Sequence, residues 1–477
     1  MIYLIAIFTY LFILTGIGLY KSRQVKTQQD FAVAGRTLSP WIMVLTMLAV
    51  WIGTGSIVGN AEEAYRTGAA ALIIPFGTFT GMILLSLIAT RARNIEATSV
   101  PEIIGSRFGP AARLLAVIAL VMAYMVIVSY QFNAGGAVIE VISGYAVSKE
   151  TATIIAGSFI IVYTMLAGLK SLASMDIVTG SIITVSLLIA FPVLLIKAGG
   201  FSGMQDAYQA MEGRTSHMQF WGVYSPVQII NYLLPTFLLV MGDANQYQRI
   251  FASRNAKGAR QAVIVLIFAA LMIELLIIGS AWVAGSMTPD PANGKYILIY
   301  AAHHHMPFAL GLLFMITVVG VIISTADSFL LVPATTFIND IYSTYINPKA
   351  SQKRVIFISR ILVLGFGVIA YLVTHAFAET TGFFKKALYA YTIYGSAVTP
   401  VLVAALFWKK ATKTGAVCSI ITGTVVTLLW SEADFVRNRL PGNMAQLDAV
   451  LPAITLSVIC LVVVSLFTQK QKTAGGA

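Results

Sequence analysis

The chain has 477 residues, 58% of them hydrophobic and only 10% charged, with a mean hydropathy of +0.84. Soluble domains carry roughly 25% charged residues, so the composition excludes a soluble protein; apolar runs recurring from end to end define an all-α polytopic membrane protein. The net charge of +12 is explained by basic loops on one membrane face and calls for no nucleic-acid partner.

Thirteen apolar segments are long enough to span a bilayer: 2–20, 41–61, 69–90, 111–142, 151–169, 173–196, 224–246, 261–286, 307–340, 354–376, 384–407, 412–430 and 448–468. No Lys or Arg precedes Lys21, so the N-terminus lacks the basic region of a secretory signal and reads as a retained first span. Alternating the sides puts 21 of the 31 basic residues in loops on one face, among them Lys21, Arg36, Arg91, Arg113, Arg249, Lys353 and Lys409. That face is cytoplasmic by the positive-inside rule, which places the N-terminus outside and the C-terminus inside. Cys418 and Cys460 lie within apolar segments and form no metal or disulfide pattern.

The second segment contains Ala49-Val50-Trp51-Ile52-Gly53-Thr54-Gly55-Ser56-Ile57-Val58-Gly59. Three glycines and two hydroxyl residues weaken a helix, and freed backbone groups in lipid are costly unless paired. Two readings are open: a helix broken around a cation, or close packing on the small-residue pair Gly55 and Gly59. The seventh segment carries Pro235 and Gly242. Interrupted helices at corresponding places in two halves point to an inverted repeat with a site between them. The divisions are 1–40, an extra span and loop; 41–200 and 201–411, the two repeats; and 412–477, two further spans and a short tail.

In the ninth segment Ser324, Asp327 and Ser328 share one helix face and offer hard oxygen ligands for an alkali cation. Asp176, near an end of the sixth segment, is a functional carboxylate or an interfacial one paired with Lys170. Glu274, near the middle of the eighth, is a functional intramembrane group, proton-linked, or a neutral core residue. In the fourth segment Gln131 and Asn133 are candidates to face a cavity. The run His303-His304-His305 lacks zinc-site spacing and reads as loop.

These residues also carry a family resemblance. Ala34-Gly35-Arg36, Gly168-Leu169-Lys170 with Asp176, Gln248-Arg249, Ser324-Thr325-Ala326-Asp327-Ser328 with Asp340-Ile341-Tyr342, and Phe407-Trp408-Lys409-Lys410-Ala411-Thr412 with Gly415-Ala416 make the chain similar to the sodium:solute symporter family over nearly its whole length. The resemblance implies a 5+5 inverted-repeat core of the LeuT type, with one span before it and two after, and sodium-driven uptake by alternating access. It implies a sodium site from the carbonyls of Ala49, Ile52 and Val321 and the hydroxyls of Ser324 and Thr325. It also implies, for some members, a second sodium at Asp176, Ser324 and Ser328. The run from Thr46 through Trp51 to Glu62 and Tyr65 looks most like the high-affinity choline transporter branch, in which an aromatic matching Trp51 faces a quaternary ammonium. Ile127 and the stretch Gly242-Asp243-Ala244-Asn245-Gln246 depart from that branch.

The expectation is therefore a multi-pass protein of the cell membrane that is no enzyme: a sodium-coupled symporter of a small organic solute, such as a choline-like amine or an amino acid. Sodium is the coupling ion, no other cofactor is expected, and Trp51, Ser56, Gln131 and Asn231 are the solute-binding candidates. The alternatives are proton coupling through Glu274 or Asp176, or a membrane solute sensor, against which stands the lack of an output domain after Lys472.

Overall fold

The computed structural model describes residues 2–22, 27–144, 146–166, 168–377, 381–432 and 447–474, and these are helical almost throughout. The membrane-length helices and the pieces that complete them are α1 (Ile2–Ser22), α2 (Pro40–Trp51), α3 (Ala61–Thr67), α4 (Pro75–Asn94), α5 (Pro110–Ile142), α6 (Lys149–Leu166), α7 (Leu169–Lys197), α8 (Pro226–Gly242), α9 (Ala256–Ser286), α10 (Phe308–Phe337), α11 (Gln352–Thr374), α12 (Phe383–Ala397), α13 (Thr399–Phe407), α14 (Lys413–Glu432) and α15 (Val450–Ala474). Among the described residues, eleven helical stretches are long and apolar enough to cross a membrane, and a twelfth span is formed by a bent pair; α1 adds a helix whose apolar part, Ile5–Gly18, is shorter.

Local sequence sets the helix starts. Pro40, Pro75, Pro110 and Pro226 each open a helix, where a missing N–H costs nothing and the fixed φ is already helical. Ser225 and Gln228 form a reciprocal capping box on α8, and Asn255 caps α9 through the Gly258 N–H.

Helix α10 is central: it packs against α5 and α7 and touches α2. Helix α9 packs on α4, α7 and α2, while α14 and α15 pair with each other and lean on α12. Helix α1 rests on α7 and α10. On one side of the bundle, two loops meet through a main-chain pair, beside which Arg254 Nε donates to the Thr37 carbonyl at 2.7 Å. Leu38 N–H donates to the Ala252 carbonyl at 3.0 Å, and Arg254 N–H donates to the Leu38 carbonyl at 3.2 Å.

The second segment is broken, one of the two readings its glycines left open: α2 stops at Trp51, and a widened turn over Gly55–Asn60 leads into α3 at a bend of 55°. Other expectations need correction. Of the two residues noted in the seventh, Gly242 ends α8 and the interruption falls at Asp243 beside it, while the helix continues through Pro235. The Thr236 hydroxyl donates to the Leu233 carbonyl at 2.9 Å beside that proline. The histidine run is the end of a short helix, Ile297–His304, with His305 beyond it. Arg249 lies in the helix Ala244–Ala252 and is fully buried, so it is not a loop cation.

Candidate functional site

Backbone pairing in α2 ends with Ile52 N–H on the Leu48 carbonyl at 2.9 Å; it resumes with Ser56 and Ile57 N–H on the Gly53 carbonyl at 3.1 and 2.9 Å. The last carbonyls of a helix have no helical partner, so those near Ile52 are acceptors for something else. Thr325 of α10 supplies one donor, its Oγ1 lying 3.4 Å from the Ile52 carbonyl. Ala49, Ile52 and Val321 are fully buried, and Ser324 and Thr325 nearly so. A Cβ on Gly53 would stand 2.8 Å from Thr325 Cγ2 and 3.0 Å from Gln131 Nε2; the bare backbone there is what lets α5 and α10 close on the break. Gln131 Oε1 accepts from the Thr54 hydroxyl and from its N–H at 3.3 Å, leaving the buried Nε2 without a partner. Gln131 therefore belongs to the break, and does not line the cavity described below.

The other hydroxyl of the pair points elsewhere. Ser324 Oγ donates to Asp176 Oδ1 at 2.6 Å, and Thr46 donates to Asp176 Oδ2. Arg249 reaches that same Oδ2 at 3.4 Å and donates to Ser328 Oγ at 2.8 Å. Asp176, Ser324 and Ser328 do gather, but a guanidinium already stands between Asp176 and Ser328. The partner of Asp176 is thus Arg249; the side chain of Lys170 is outside the described residues. Asp327 turns away to accept from Thr164 Oγ1 at 2.5 Å, so the shared helix face divides among three neighbours.

On the other face of the break is a small cavity with room for about one water-sized sphere. Glu274 of α9 anchors it. Trp51 Nε1 and Ser56 Oγ donate to Glu274 Oε1 at 3.0 and 2.9 Å, and Asn60 Nδ2 donates to Oε2 at 2.8 Å. Both limbs of the broken helix are thereby tied to one carboxylate. Tyr391 and Phe384 of α12 close the opposite wall. They approach because Gly55 and Gly59 lack side chains: a Cβ would come within 2.7 Å of Tyr391 OH at Gly55, and within 3.1 Å of the Phe384 backbone at Gly59. Breakage and close packing are both realised, on different faces of the same stretch.

Trp51 and Ser56 line this cavity as expected, whereas Asn231 does not. Asn231 lines a neighbouring cavity of about 660 Å³ that shares Leu388 with it, and its Oδ1 accepts from Asp448 N–H at 3.2 Å. Asn133 borders a separate cavity of about 520 Å³. Asn60, Thr78, Thr236 and Tyr391 were not singled out in the sequence. Only Asn60 carries a signal there, since it falls four residues after Ser56.

A helix broken at mid-bundle, with a freed carbonyl meeting a hydroxyl of a second helix and a small cavity alongside, is a device of secondary transporters. The comparisons agree. The model of the sodium:solute symporter family matches residues 31–423, and the chain belongs to that family. It is 23% identical to the osmoregulated proline transporter OpuE of Bacillus subtilis, over 96% of this chain and 93% of that one. It is 23% identical to the sodium/proline symporter of Escherichia coli, over 99% and 94%. Its fold is that of a Na+-coupled sialic acid symporter (TM-score 0.82, 17% identity, 98% of both chains) and, more distantly, of MhsT solved with L-phenylalanine (TM-score 0.58, 14% identity, 89% and 98%).

The protein is accordingly a sodium-coupled symporter of a small organic solute, embedded in the cell membrane by many helices, and not an enzyme. The choline-branch likeness is corrected, because these relatives carry proline. The Trp51 indole N–H is engaged by Glu274, and Glu62, part of the choline-like run, accepts from Phe383 N–H at 3.0 Å as a cap on α12.

Proposed function

We propose that one sodium ion binds at the break, held by the carbonyls of Ala49, Ile52 and Val321 and the hydroxyls of Ser324 and Thr325, and that the solute binds across the break at Glu274, where the small cavity of this closed arrangement widens to admit it. The observation that carries this reading is the meeting of Thr325 Oγ1 with the Ile52 carbonyl where α2 ends. Sodium there would hold the two helices together and set the position of Trp51 and Ser56 on the solute side. Binding one conformation better than another is what allows the ion to drive the cycle.

Arg249 supplies a fixed positive charge at Asp176 and Ser328, which supports a cycle with a single sodium. One ion crossing 100 mV contributes about 2.3 kcal/mol. A tenfold ion gradient adds about 1.4 kcal/mol, and the two together support roughly 500-fold accumulation of a neutral solute. The solute we favour is an amino acid of proline's size, by analogy with the relatives. With the basic loops inside, the Leu38–Ala252 contact closes the cytoplasmic side. The cavities of about 660 and 520 Å³ then open outward, an arrangement suited to loading from outside.

Thermal stability of the purified protein in Na+ and in K+ at equal ionic strength tests the ion assignment. A ligand that prefers the folded state raises stability by mass action. A Na+-specific rise is expected, and an identical melting temperature in the two salts would sink the reading.

A further inference from the structure

The cavity beside the break holds a carboxylate and nothing to balance it. Glu274 is 3% exposed, and among the described residues no Lys, Arg or His lines the cavity with it. Its three described side-chain hydrogen bonds come from Trp51, Ser56 and Asn60, and all are donated to it. Trp N–H and the Asn amide N–H can only donate, so both oxygens serve as acceptors. Neutral donors orient such a group but do not cancel its charge, and an intramembrane carboxylate without a counter-charge marks a functional site. The contrast with Asp176 is direct, since that carboxylate has its own guanidinium, Arg249.

The surroundings suit a cation. Trp51, Phe384 and Tyr391 line the same cavity, and aromatic faces attract positive charge. A solute carboxylate, in contrast, finds no cationic side chain among the lining residues and would add a second negative charge next to Glu274.

We propose that Glu274 is the counter-ion for a protonated amine on the transported solute. The cavity then reads the ammonium end of the solute and tolerates change at the other end. This rests on the reading above that the Glu274 cavity is the solute site. Trp51, Ser56 and Asn60 become positioning residues that hold the carboxylate toward the solute and report its occupancy to both limbs of the broken helix.

The test uses the full-length purified protein in Na+ with three probes: pyrrolidine, a bare cyclic amine; L-proline; and N-acetyl-L-proline, which keeps the carboxylate and loses the basic nitrogen. Pyrrolidine and L-proline should each raise the melting temperature, and N-acetyl-L-proline should not. In Glu274→Gln, whose cooperative melting in K+ shows that it is folded, the apparent affinity for pyrrolidine should fall at least tenfold. Stabilisation by N-acetyl-L-proline equal to that by L-proline, no stabilisation of the wild-type protein by pyrrolidine, or undiminished pyrrolidine affinity in Glu274→Gln would each overturn the proposal. The wild-type comparison stands alone if Glu274→Gln does not fold. The solute-free Na+ and K+ arms separate the outcomes: a sodium effect without an amine effect defeats only this inference, and loss of the sodium effect defeats the transport site itself.

Discussion

Two helices among the described residues are interrupted, α2 before α3 and α8 before Ala244–Ala252, and they have been put to different uses. The first, α2 with α3, bends by 55°, and its loosened turn presents acceptors to Thr325 on one side and donors to Glu274 on the other. The second, α8 followed by Ala244–Ala252, is closed by its own side chains. Tyr124 OH donates to Asp243 Oδ1 at 2.6 Å, Asn245 N–H donates to the same oxygen at 3.1 Å, and Tyr394 OH donates to the Gly242 carbonyl at 2.9 Å. Arg249 then fixes the second helix to Asp176 and Ser328. A break filled by glycine and small hydroxyl residues has room for ligands, whereas one filled by tyrosine, aspartate and arginine becomes a strut.

The comparison can be broken by mutation. The largest effect should come from the strut: Arg249→Ala leaves Asp176 buried without its counter-charge, and removing one partner of a buried pair costs about 3–5 kcal/mol. A large drop in melting temperature in both Na+ and K+ is expected; a variant that melts like the wild type would mean that the pair carries no structural weight. Next comes the ion side of the first break. Thr325→Ala and Ser324→Ala should each raise the sodium concentration for half-maximal uptake about tenfold, or about 1.4 kcal/mol, with little change in expression. Unchanged sodium activation in both would remove the site from these residues. The smallest effect belongs to Tyr124→Phe, which removes the hydroxyl from Asp243 and from Asn245 N–H but leaves Asn245 N–H on Asp243 Oδ1, and should cost about 1 kcal/mol of stability. Sodium activation should stay at the wild-type value; a shift there would show that the second break also takes part in ion binding.

What the sequence reveals follows the same division. The first break is legible because Gly53, Thr54, Gly55, Ser56 and Gly59 interrupt an apolar run with residues that a lipid-facing helix does not need. Ser324 and Thr325 are legible as adjacent hydroxyls deep in another such run. The second break is harder to see: Pro235 is the loud residue but does not interrupt the helix, and the actual break rests on Asp243, whose partners Tyr124 and Tyr394 lie far away in the chain. Arg249 reads as a loop cation because a hydropathy pattern places a charge at the end of an apolar segment, and only the fold supplies Asp176 to bury it against. Glu274 is conspicuous alone, yet its three donors come from a stretch more than 200 residues earlier. The family resemblance reached the right family and the wrong branch, since the residues around Trp51 that suggested choline serve Glu274 and the capping of α12 instead.

The contact between Leu38, Ala252 and Arg254 is built from peptide groups, and this changes how it can be found. Replacing the Leu38 side chain leaves both hydrogen bonds available, and Arg254→Ala removes only the added bond from its Nε to the Thr37 carbonyl at 2.7 Å, so alanine scanning leaves the main-chain pair in place. Proline is the exception, because it removes the N–H itself. Amide hydrogen exchange at Leu38 and Arg254 reads opening of this contact directly, and so tests the proposed cytoplasmic closure with no label on the solute and no change to the binding site.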